Sequence, residues 1–143
     1  MIKIAIASDH AGFELKSKLR DYLKEKGYSV TDLGTDSDKS VDYPEYANKL
    51  CSFLLKGECE KGVLICGTGI GMSIAANRHK GIRAALCTIP EYAKLSREHN
   101  NANVLCLGAR FIPFEQATLI LDTFLSTDFE GDRHQRRVDL LDK

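Results

Sequence analysis

The chain has 143 residues, 43% of them hydrophobic and 28% charged, a size and balance that suit one soluble domain spanning residues 1–143. Twenty Lys and Arg offset twenty Asp and Glu, so no global field favours nucleic acid or an anionic membrane. No apolar run reaches the roughly 18 residues of a transmembrane helix, and any anionic ligand must be gripped by a local basic cluster.

The opening MIKIAIASDHAGF lacks the apolar stretch and cleavage site of a secretory signal, and Lys3–Ser8 reads as a strand. A helix follows with Leu15, Leu19, Tyr22 and Leu23 on one face, ended by Gly27. Tyr28–Leu33 alternates as a second strand, and Pro44 suits the first turn of a helix burying Ala47, Leu50, Cys51 and Leu54. Gly62–Cys66 carries no charge, as expected of a strand covered on both faces. A Gly-rich turn leads into a helix over Met72–Arg78. Ile82–Cys87 and Val104–Leu107 supply two more strands, separated by a helix near Glu91–His99. Pro113 opens a helix with Ala117, Ile120, Leu121 and Phe124 inward. Gly131 precedes a last short helix with only Val138, Leu140 and Leu141 to bury.

This alternation predicts an α/β fold, a three-layer Rossmann-like arrangement around a five-stranded parallel sheet. The thin apolar content of the C-terminal helix suggests that it packs on a partner subunit.

Five cysteines stand at 51, 59, 66, 87 and 106. Their odd number and the absence of CxxC or Cys/His zinc spacings point to reduced thiols and a cytoplasmic chain without metal. Cys51, Cys87 and Cys106 read as core, and Cys59, between two glutamates, as surface or near it.

In open α/β sheets ligands sit beyond the carboxyl ends of the strands. Ser8-Asp9-His10 follows the first strand, Cys66-Gly67-Thr68-Gly69-Ile70-Gly71 the third and Gly108-Ala109-Arg110 the fifth. The CGTGIG turn can aim backbone N–H groups at one point, and the next helix N-terminus adds positive potential. That suits an oxyanion and would favour a thiolate at Cys66. The spacing matches neither GxGxxG nor GxxxxGK[ST], so neither a dinucleotide fingerprint nor a P-loop is present. His10 and His99 are placed by this reading at ligand-facing ends, where a near-neutral group can move protons. Arg133 and Arg137, four apart, share one helix face and could grip a phosphate, or could simply form a solvated basic helix.

SDHAGFELK, VDYPEYA, ICGTGIGMSIAANR, SREHNNANVLCLGAR and GDRHQRRV, in this order, resemble the motifs of the ribose-5-phosphate isomerase B family. That group includes allose- and galactose-6-phosphate isomerases, and the resemblance covers essentially the whole chain. It implies a homodimer or dimer of dimers with shared active sites, no cofactor, and a phosphorylated sugar as substrate. The implied reaction interconverts ribose 5-phosphate and ribulose 5-phosphate in the pentose phosphate pathway. By matching motif, Cys66 resembles the base at C2, Thr68 the group passing protons between the two oxygens, and His99 the ring-opening residue with Asn100 beside it. The amides from Gly67 through Gly69, Ile70 and Gly71 resemble the enediolate pocket. Asp9, His10 and Tyr43 resemble substrate contacts, and Arg110, Arg133, Arg137 and His134 the phosphate grip. One branch of the family places a glutamate in the glycine loop instead of using the cysteine. Here the position is Ile70, which leaves the cysteine route. A six-carbon sugar phosphate is the alternative substrate within the same chemistry, and a non-catalytic phosphate or nucleotide module is the alternative of another class. A receiver domain is excluded, because no lysine follows the fifth strand.

Overall fold

The computed structural model describes residues 2–143. Its elements run β1 (Lys3–Ser8), α1 (Phe13–Glu25), β2 (Ser29–Asp32), α2 (Tyr43–Leu55), β3 (Lys61–Cys66), α3 (Ile70–Asn77), β4 (Ala84–Leu86), α4 (Pro90–Asn100), β5 (Val104–Gly108), α5 (Phe114–Ser126) and α6 (Arg133–Asp139). All strand pairs are parallel, in the order β2-β1-β3-β5-β4. The expected five-stranded three-layer fold is present. The second and fourth strands are shorter than the sequence suggests, and α3 begins two residues earlier.

Strand alternation splits the core into two layers. Ile4, Ile6, Val63, Ile65, Leu105 and Leu107 face one side, where α1, α4 and α5 contribute Leu19, Ala93 and Phe124. Ala5, Ala7, Leu64, Cys66, Val104 and Cys106 face the other, against Leu50 and Cys51 of α2 and Met72 and Ala76 of α3. Each fully buried Leu, Ile or Phe contributes about 1.5–3 kcal/mol from apolar burial. Cys59 belongs to the second layer, not the surface as its glutamate neighbours suggested. The N–H of Glu60 bonds the Lys3 carbonyl at 2.9 Å, which folds the segment under the start of the sheet.

A lysine and an arginine are interior. Lys16 is fully buried and bonds both oxygens of Asp32 at 2.7 and 2.8 Å. Burial alone would raise the Asp32 carboxyl, but Lys16, the Gly34 N–H and Arg20 together hold it below its usual range. Arg97 on α4 is also buried, and burial lowers its guanidinium from its ordinary value. It donates to the carbonyls of Thr127 (3.0 Å) and Ala102 (2.6 Å) and to Asn101 Oδ1 (2.8 Å). These bonds tie the end of α4 to the segment that leads from α5 to α6.

The chain order reverses between β1 and β3, which opens a crevice at their carboxyl ends. The backbone bridges it once, where the Asp9 N–H bonds the Ile65 carbonyl at 3.2 Å.

Candidate active site

Cys66 ends β3 at this crevice and is 5% exposed. The chain then turns through Gly69 at φ +80°, a left-handed conformation that favours glycine, and enters α3. The turn brings the Gly69 N–H to 3.1 Å from Cys66 Sγ and the Ile70 N–H to 3.1 Å from Thr68 Oγ1. Gly71 and Met72, in the first turn of α3, have amides with no carbonyl inside the helix to bond. Sulfur therefore meets a donor and the positive end of a helix, an environment that stabilises negative charge. The other thiols lack this setting. Burial pushes Cys51 up to about 12 and Cys59 and Cys87 to about 11, and raises Cys106 well above its ordinary value.

The glycines of this loop do not all serve the same purpose. A Cβ at Gly67 would stand 2.9 Å from Arg110 Cζ, and one at Gly71 would stand 2.8 Å from the Tyr43 ring. Arg110 thus lies on the loop, helped by its own N–H bonding the Gly67 carbonyl at 3.0 Å. Gly108 is required from beneath, since a Cβ there would meet the Thr68 carbonyl oxygen at 2.5 Å. On the β1 side Asp9 is buried and accepts the Gly12 N–H at 3.1 Å through Oδ1. His10 Nδ1 accepts the Val41 N–H at 3.1 Å, so Nε2 is the ring nitrogen that carries a proton. Asp9, His10, Tyr43, Cys66, Thr68, the glycine loop and Arg110 are therefore gathered at the carboxyl edge.

His99 and Asn100 are not there. They end α4, which runs antiparallel to the strands, so they lie near Asn103 at the amino edge. There the Asn103 carbonyl accepts the N–H of Gly62, at the start of β3. A six-residue strand such as β3 spans roughly 20 Å at 3.3 Å per residue, so the two groups stand at opposite edges of the sheet. The expectation that His99 shares the ligand-facing end with His10 is corrected within one chain: the linear order of motifs does not reveal which edge a helix terminus reaches.

A second group forms around His99. Its ring stacks on that of His134, centroids 4.3 Å apart and 14° from parallel. His99, Asn100, His134 and Arg137 line a cavity of about 250 Å³ with Val138 and Leu141. Arg133 is exposed at the start of α6, outside that lining. Glu130, which carried no signal in the sequence, places Oε1 3.5 Å from His134 Nε2. His99, Glu130 and His134 offer ligand atoms within 4.8 Å of one another. The nearly parallel rings, however, run their in-plane lone pairs side by side, whereas a tetrahedral ion needs them to converge. The trio does not fit such a metal.

α3 and α4 flank the β4 edge of the sheet and expose Ile70, Ile74, Tyr92 and Leu95, with Ile89 exposed just before α4. Leu140 and Leu141 after α6 are also exposed. Among the described residues no helix is long and apolar enough to cross a membrane.

The Ribose/Galactose Isomerase family matches residues 4–141. The ribose-5-phosphate isomerase B of Escherichia coli (strain K12) is 48% identical over 141 residues, covering 99% of this chain and 95% of its own length. A solved ribose 5-phosphate isomerase of Thermotoga maritima superposes with a TM-score of 0.98 at 59% identity, covering 99% of this chain and 97% of the other. The Mycoplasma genitalium ribose-5-phosphate isomerase B, solved with bound ribulose-5-phosphate, gives 0.90 at 45% identity, covering 96% and 91%. The chain belongs to the ribose/galactose isomerase family.

Proposed function

We propose that this protein interconverts ribose 5-phosphate and ribulose 5-phosphate by proton transfer at Cys66, in a site completed by a second copy of the chain. The observation that carries the chemistry is the Cys66 sulfur at a helix N-terminus, 3.1 Å from the Gly69 amide and beside a loop of donors. The Cys66 thiolate takes the proton from C2 of the open-chain aldose and returns it to C1. The charge that builds on the two oxygens is met by the loop amides from Gly67 to Gly71. Thr68 carries the hydroxyl proton from one oxygen to the other, and Asp9, His10 and Tyr43 hold the sugar.

The second copy follows from the two separated groups. Cys66 sits at one edge of the sheet and His99, Asn100 and Arg137 at the other, so one chain cannot bring them to one sugar. Docking two chains through the exposed apolar faces of α3 and α4 would set the His99 group of one protomer against the Cys66 loop of its partner. His99 then opens the furanose ring, while Arg110 of one protomer and Arg133 and Arg137 of its partner grip the phosphate. The free thiols suit a reducing compartment, and we place the enzyme in the cytoplasm.

Isotope exchange tests the chemistry. With ribose 5-phosphate in heavy water, the wild type is expected to wash solvent deuterium into the transferred position, and Cys66→Ala to do so at about a thousandth of the rate. Unaltered exchange in Cys66→Ala would remove the cysteine from the reaction. Turnover on allose and galactose 6-phosphates, run beside ribose 5-phosphate, tests the substrate, and a six-carbon preference would overturn the assignment.

A further inference from the structure

His134 stands where a phosphate ligand is expected, yet its geometry is that of a packed ring. It is 6% exposed, the one buried residue of α6. Its face is covered by His99 at 4.3 Å, and its Nε2 is shut from solvent without a hydrogen-bond partner. Glu130 Oε1 is 3.5 Å from it. A grip on an anion needs a donor presented to it, preferably charged. Nε2 is not presented.

The charges around the ring also bear on its state. Arg133 and Arg137 share its helix, and His99 and Glu98 come from α4. The Glu98 carbonyl accepts the Glu130 N–H at 3.1 Å, which brings the Glu130 carboxylate in from the preceding segment. Of the two carboxylates, Glu130 is the one that comes within 3.5 Å of the His134 ring, and its charge favours a protonated His134. Burial, Arg133, His99 and Arg137 outweigh it and hold His134 below its ordinary value. Two stacked imidazoles in contact cannot both carry a proton cheaply.

We infer that His134 is a positioning residue for His99: a neutral ring that holds the imidazole of His99 in plane and leaves it free to gain and lose the ring-opening proton. This rests on the role proposed for His99. The anchor of α4 through Arg97 fixes the backbone beneath His99, and the His134 ring fixes the side chain.

The test compares His134→Phe, which keeps a neutral ring, with His134→Ala, which removes it, in the assembled enzyme. Two substrates are used, ribose 5-phosphate and its 4-deoxy analogue, which lacks the hydroxyl needed to close a furanose and is always open. His134→Ala is expected to lower kcat/KM on ribose 5-phosphate by about thirtyfold and on the open analogue by less than threefold. His134→Phe recovers most of the lost rate. An equal rise in KM for both substrates in His134→Phe, matching Arg137→Ala, would make His134 a phosphate ligand and overturn the proposal. Equal losses in the Phe and Ala variants would also overturn it.

His99→Asn is measured alongside. If it treats the two substrates alike, the ring-opening role of His99 fails, and with it the proposal. Side-chain NMR separates the two failures, because it reads directly whether the His99 ring is fixed in wild type and His134→Phe and averaged in His134→Ala. A His99 ring equally ordered in all three would overturn the positioning role alone.

Discussion

The guanidinium of Arg110 lies on the backbone of Gly67, so close that a Cβ on the glycine would stand 2.9 Å from its Cζ. The loop that carries Cys66 and the arginine offered to phosphate are therefore one packed unit. Their order comes from contact, as well as from the hydrogen bond between the Arg110 N–H and the Gly67 carbonyl.

Gly67→Ala is expected to displace the far end of Arg110 while leaving the fold intact, since a flexible side chain can move aside. KM for the sugar phosphate should rise about tenfold, with kcat less affected and stability changed by under about 0.5 kcal/mol. Steady-state kinetics with a thermal melt checks this. The contrast is Gly108→Ala, whose Cβ would meet the backbone oxygen of Thr68 at 2.5 Å. Overpacking against backbone should cost about 1–3 kcal/mol and lower kcat.

Alkylation should single out Cys66. Burial raises the other four thiols, three of them to about 11 or 12, so their thiolate fraction near pH 8 is negligible. One carboxymethyl group per chain at Cys66, formed in step with loss of turnover and slowed by ribose 5-phosphate, is the expected peptide map. Modification at Cys59 first, with activity retained, would contradict it.

Arg97→Met should loosen the end of α4. The guanidinium makes hydrogen bonds to Thr127, Ala102 and Asn101 that no apolar side chain replaces. A loss of about 3 kcal/mol in denaturant unfolding is expected. Turnover should fall further than binding, because His99 rides on the same helix end.

Stability should depend on pH in two windows. His134 is held below its ordinary value, so between that value and its folded one the unfolded chain binds the extra proton. Stability is therefore full above about pH 6.5 and falls as pH drops through the folded value. Asp32, also held low, contributes stability that is present above about pH 3.9 and lost as pH falls through its own folded value. Melting curves of wild type and His134→Phe from pH 7.5 to 5 isolate the first window (a pH range chosen about the ordinary histidine value). The difference between the two proteins should shrink or change sign on acidification, and a constant difference would contradict the assignment.

Much of this was legible in the sequence. The uncharged GVLIC run and the alternation of strands with amphipathic helices give the parallel sheet, and position after β3 picks out Cys66 from five cysteines. Arg110 and the glycine turn follow from the same rule. Other features depend on tertiary placement. Nothing in the local pattern announces the burial of Lys16, which depends on Asp32 at the end of β2. Cys59 looks exposed until Glu60 pairs with Lys3. His99 and His134 lie 35 positions apart, and nothing in their local patterns announces a stack or the edge at which it forms. Glu130 sits in a segment with no periodicity at all.

In the proposed assembly the Cys66 loop of one chain works with His99 of another. Mixing Cys66→Ala with His99→Asn subunits, each nearly inactive alone, and allowing them to exchange tests it directly. In a two-fold dimer with random pairing, half the dimers are mixed, each with one intact site, so about a quarter of wild-type turnover should return. A mixture that stays as inactive as its parents, although mixed dimers are shown to form, would contradict a shared site.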